Sequence, residues 1–102
     1  GCFCEALQDG GTVEHMRVIY ADPDRQLRLS GALGPLQGEA LAATLTIKLE
    51  KAGEGTRLTW SYKAGGYTDM SLAQIAPAVD GVVSGQFARL VRFVEKGAPG
   101  AR

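Results

Sequence analysis

Two periodicities divide the chain. Between residues 2 and 64, apolar residues recur at every second position in short runs broken by Gly, Pro and Asp. From Pro77 onward, Val79, Val83, Phe87, Leu90 and Val94 recur at helical spacing, with Gly85, Arg89, Arg92 and Lys96 on the opposite side. The spacing predicts a helix over 77–96, with Pro77 at its first position and Gly97 as its stop. Twenty residues at about 1.5 Å each make a rod of about 30 Å. A helix of that kind needs a surface on which to bury its stripe.

The upstream runs read as five strands, at 2–7, 12–21, 26–32, 41–51 and 56–64. Gln8-Asp9-Gly10-Gly11 is a hairpin signal, read as a two-residue turn at Asp9-Gly10 or Gly10-Gly11. Asp22-Pro23-Asp24-Arg25 suits a type I turn. Closing that hairpin sets Tyr20 opposite Leu27, Val18 opposite Leu29 and Met16 opposite Gly31, with the large apolar residues on one face. Residues 33–40 form a Gly- and Pro-rich loop. A type II′ turn at Gly53-Glu54 pairs Leu49 with Leu58, Ile47 with Trp60 and Leu45 with Tyr62. It sets Glu50 against Arg57 on the wet face. After Gly65-Gly66 comes a connection. Ser71 and Gln74 there resemble a capping box for a short turn at 72–76, and Ala76 before Pro77 predicts a break.

At 102 residues the chain is expected to form a single domain over 1–97 with a tail at 98–102. Eleven acidic residues balance eleven basic ones, which gives no reason to expect nucleic acid or an anionic membrane as partner. No apolar run approaches the roughly 20 residues that span a bilayer. Two cysteines in a CxC spacing make no disulfide framework, so the cytoplasm is the expected location.

Three stretches carry a family resemblance. YADPDRQLRLSGALGPLQ, the GEGTRLTWSYKAGGY hairpin and APAVDGVVSGQFARLVRFVE together resemble the bacterial START-like (SRPBCC) superfamily. That group includes birch-pollen-allergen-like, polyketide cyclase/dehydrase-like and chaperone ATPase-activator-like proteins. The resemblance implies an α+β helix-grip fold: a curved antiparallel sheet of about five strands packed on a long C-terminal helix. Members carry a further strand and two short helices before the part seen here. If no upstream segment supplies them, the sheet keeps an unpaired edge, and a homo-oligomer paired through the first strand is expected. The resemblance implies a module that binds a small hydrophobic ligand. The alternatives are a polyketide cyclase/dehydrase-like enzyme and a chaperone-interacting or structural domain, because one fold hosts many functions.

Candidate chemistry is sparse. Met16, Tyr20, Leu45, Trp60, Tyr62 and Phe87 are expected to point inward, either as plain core or as the ligand-binding lining of an apolar pocket in which the two phenols serve as polar handles. Glu5 and Glu14 are expected on the same inner face near a hairpin tip, read as solvated carboxylates at the rim in preference to a close pair that could exchange protons. Cys2, Cys4 and His15 share the other face. Three ligands on an open strand make a poor tetrahedral site, so no metal and no cofactor are expected. Alternate positions on one strand also suit a mutual disulfide badly. Gly31, Gly34 and Gly38 lack the spacing of a phosphate loop. Gly81 and Gly85 notch the helix face away from the stripe, where a close neighbour could pack.

Overall fold

A computed structural model describes residues 1–69 and 71–97; the tail expected at 98–102 lies outside them. The architecture is α+β: five antiparallel strands in sequence order form one open sheet, and one helix follows. The strands are β1 (Cys2–Ala6), β2 (Thr12–Asp22), β3 (Gln26–Ser30), β4 (Ala40–Ala52) and β5 (Gly55–Tyr67), and the helix is α1 (Leu72–Lys96). The chain divides into two compact units, Gly1–Asp69 and the segment from Met70 onward.

The β4–β5 hairpin follows the sequence reading residue for residue. Gly53 has φ +62°, the value that the first central position of a type II′ turn requires. Leu49 pairs with Leu58, Ile47 with Trp60, Leu45 with Tyr62 and Glu50 with Arg57. The ladder runs further than expected, to Ala40 opposite Tyr67, and so takes in Gly65 and Gly66. Gly66 has φ +137°, and a Cβ there would lie 2.5 Å from the Ala40 carbonyl, so the extension depends on glycine.

The other two hairpins differ from expectation in the same way. Each has a three-residue loop instead of a two-residue turn. In the first, the Leu7 and Gly11 backbones bond across Gln8-Asp9-Gly10. In the second, the Arg25 N–H donates to the Asp22 carbonyl at 3.0 Å, while the ladder opens with Asp22 opposite Gln26. Asp24 has φ +68° at the third turn position, which belongs to a type II turn and not the type I expected. One extra loop residue displaces the register by one and would turn the apolar face outward. A β-bulge in β2 restores it each time: at His15 against β1 and at Ile19 against β3.

Beyond the bulges the apolar positions converge. We call the face carrying Met16, Leu29, Ala43 and Leu45 the inner face; all four are buried, Met16 to 1% exposure. Leu27, Ile47 and Trp60 form one cross-strand row on this face. The loop between β3 and β4 contains a 3-10 turn at Gly34–Leu36 and contributes two more buried residues, Leu33 and Leu36. Gln37 anchors this loop by donating its side-chain N–H to the Glu14 carbonyl at 3.0 Å.

The helix is one continuous element of 25 residues, not a short turn and a second helix. Ser71 is its N-cap by backbone geometry, with the Gln74 N–H donating to the Ser71 carbonyl at 3.0 Å. The side-chain bond of a capping box is not made. Pro77 lies inside the helix. It removes one ladder bond in the second turn, where cooperative bonding beyond it carries the helix through. Gly97 ends the helix as expected, with φ +78° and its N–H on the Phe93 carbonyl. The covered stripe lies a turn earlier than predicted. Ile75 and Val79 are buried, Val83, Phe87 and Leu90 are half-buried, and Val94 is 70% exposed.

Candidate functional site

The six residues expected to line a pocket do not act alike. Met16 and Leu45 are buried at the centre of the inner face. Trp60 and Tyr62 lie on the same face, half-buried. Phe87 is half-buried on α1. Tyr20 is a correction. The bulge at Ile19 puts Ala21, not Tyr20, across from Leu27, and pairs Tyr20 with Arg28 on the outer face. There the Arg28 guanidinium sits 5.5 Å from the centre of the Tyr20 ring, a cation–π arrangement.

The Tyr62 hydroxyl is already occupied. It accepts from the Leu33 N–H at 2.9 Å and donates to the Gly31 carbonyl at 3.2 Å, which ties the loop after β3 to β5. Burial pushes its pKa up from the ordinary phenol value, and the Leu33 N–H partly opposes that shift. Tyr62 is therefore a structural clasp, and neither phenol serves the inner face as a polar handle.

The polar group that does stand on that face was not foreseen. The bulge at His15 swings the imidazole off the face of Cys4, where alternation had placed it, and onto the inner side. His15 Nε2 lies 2.9 Å from Glu5 Oε1, and the imidazole ring packs 4.9 Å from the ring of Phe3. Both side chains are largely covered. Glu5 and Glu14 do not share a face, contrary to expectation: Val13 stands opposite Glu5, and Glu14 lies opposite Cys4 and bonds Arg17. A carboxylate held against an imidazole can pass a proton to or from a bound group. The signal in the sequence was the glycine at position 10, which allows a three-residue loop and thereby forces the bulge.

Cys2 and Cys4 form a disulfide, contrary to the geometric objection raised from alternation. An ideal strand holds alternate Cα atoms about 6.6 Å apart. Here the distance is 5.5 Å, next to the register shift between Phe3 and Cys4, and within the range that a disulfide spans. With His15 gone from this face, the nearest grouping of ligand atoms is Cys2, Cys4 and Glu14, all exposed. Disulfide sulfurs are not the thiolates that hold zinc.

Among the described residues, no helix is long and apolar enough to cross a membrane. No family model, curated protein or solved structure matches the chain.

Proposed function

We propose that the chain binds a small apolar ligand on the inner face of its sheet, as a START-like module does. The observation that carries this reading is a patch of five large apolar side chains. Leu27, Ile47 and Trp60 form one row across three strands, and Leu49 and Leu58 form the next. All five are half-buried, unlike the closed centre formed by Met16 and Leu45. A contiguous, half-covered apolar patch beside a sealed core is the usual form of an apolar binding surface. Native mass spectrometry of the purified protein tests the proposal. A non-covalent adduct released by organic solvent supports it, and a clean protein mass that stays clean after incubation with long-chain alcohols contradicts it.

The Glu5–His15 pair favours a second reading, an enzyme of the polyketide cyclase/dehydrase type. In it the pair would move a proton on the bound molecule while the apolar face holds it in place. His15→Ala separates the two readings, since it removes turnover from an enzyme and leaves retention of the same adduct unchanged in a binder. We also propose self-association. Both sheet edges, β1 and β5, lack a strand neighbour among the described residues. Open edges present backbone donors and acceptors to another strand. Light scattering that reports a stable monomer would rule self-association out.

A further inference from the structure

The outer face of the sheet holds a depression of about 400 Å³ lined by Arg28, Thr44, Thr46, Lys48, Ser61 and Lys63. Three of these residues are cations, three carry hydroxyls and none is acidic. The register explains why they converge. Arg28, Thr46 and Ser61 are direct partners across β3, β4 and β5. Lys48 lies two residues beyond Thr46 in one direction. Lys63, opposite Thr44, lies two residues beyond Ser61 in the other. The hydroxyls of Thr46 and Ser61 therefore form a floor, with a cation on each of three sides.

Elsewhere on this face charges of opposite sign stand together. Glu14 bonds Arg17, and Glu50 lies across from Arg57. Among the described residues, none of Arg28, Lys48 and Lys63 has a carboxylate partner. Arg28 is also held in position. Its Nε donates to Thr46 Oγ1 at 3.2 Å, and its guanidinium lies against the Tyr20 ring. That arrangement leaves the outer edge of the guanidinium fork, with its terminal N–H groups, able to grip oxygens in pairs. The bulge at Ile19, which takes Tyr20 off the inner face, is what brings that ring to Arg28.

We propose that this depression binds a small phosphate monoester dissolved in water. A monoester phosphate carries close to two negative charges and three strong acceptor oxygens, which suits three cations around a floor of hydroxyl donors. The volume exceeds what a phosphate group alone would fill, so there is room for the organic part of the ester. This site is independent of the apolar ligand proposed above, because it lies on the opposite face of the sheet.

Phenyl phosphate is the probe, titrated at low ionic strength and followed by backbone amide shifts. Saturable shifts centred on Arg28, Thr46 and Ser61 are expected, weakening as salt is added. The Lys48→Gln/Lys63→Gln double variant should bind at least about tenfold more weakly. Both lysines are exposed, so that variant keeps its fold, and its amide dispersion verifies this. Arg17→Gln, on the same face but outside the depression, should bind as the parent does. The proposal is overturned by absence of saturation, by equal affinity in the double variant, or by chloride shifting the same amides as strongly. Preference for phosphatidic acid vesicles over the free ester also overturns it, because the site would then be a membrane contact.

Discussion

Removing one oxygen atom at Tyr62 should loosen the loop that closes one end of the inner face. Tyr62→Phe keeps the ring and deletes the hydroxyl that joins the Leu33 N–H at 2.9 Å to the Gly31 carbonyl at 3.2 Å. Leu33 itself is buried, so its N–H loses a partner in a place that water reaches poorly. An orphaned buried donor costs about 1–3 kcal/mol. Because Tyr62 is only half-buried, water makes good part of the loss, and about 1–2 kcal/mol is expected in urea unfolding. Hydrogen exchange at the Leu33 amide should accelerate in step. The same hydroxyl predicts a pH effect. Its folded pKa is raised, so the neutral phenol is favoured in the folded state. The stability it contributes is complete below the unfolded phenol value of about 10 and is lost as pH rises through the folded value. Tyr62→Phe should remove that part of the alkaline loss. A destabilisation under about 0.5 kcal/mol, with Leu33 exchange unchanged, would refute the clasp.

Three further outcomes follow from the backbone. Gly31→Ala should cost more than about 2 kcal/mol in chemical denaturation, because φ is +151° and the new Cβ would collide with the His15 carbonyl and lie 2.9 Å from Met16 Cα; near-parental stability would show that Gly31 approaches the β2 backbone less closely than described. Gly81→Ala and Gly85→Ala should each raise thermal stability by up to about 1 kcal/mol, since a Cβ at either meets nothing within 4 Å; a loss at either would reveal a neighbour packed into the notch. Replacing Cys2 and Cys4 together by Ser should cost at most about 1.6 kcal/mol, the chain-entropy limit for so short a loop; a larger loss would mean that the bridge holds β1 in place.

What was legible in the sequence depended on where loop length was fixed. Gly53-Glu54 admits one tight turn, and from it every pair from Ala52–Gly55 back to Leu45–Tyr62 follows by counting. In the other two hairpins Gly10 and Asp24 each adopt positive φ, which lengthens the loop by one residue. The compensating bulges then reassign particular side chains. Val18 opposite Leu29 survives, Tyr20 is turned outward, and His15 is turned inward to Glu5. Alternation alone carries no mark of a bulge, because the apolar residues on both sides of it still face the same way. The helix shows a similar competition. Pro77 signals a start, yet the apolar residues Ile75 and Val79 continue one stripe through it, and burial of that stripe outweighs one missing bond. The face of four of the six residues expected to line the pocket was therefore readable. Met16, Leu45, Trp60 and Tyr62 share the inner face, whereas the Glu5–His15 pair and the Arg28 cluster depend on the bulges.

The most direct test of the apolar-ligand account uses Trp60, the single tryptophan, as its own reporter. Titration with N-phenyl-1-naphthylamine, a neutral apolar fluorophore, should quench Trp60 emission along one saturable curve while probe fluorescence rises in parallel. Ile47→Asp, which places a charge beside Trp60 in the cross-strand row, should abolish both signals while the fold persists by circular dichroism. Linear, unsaturable quenching in the parent chain, or an unaltered curve in the Ile47 variant, would contradict the claim that the inner face holds a ligand.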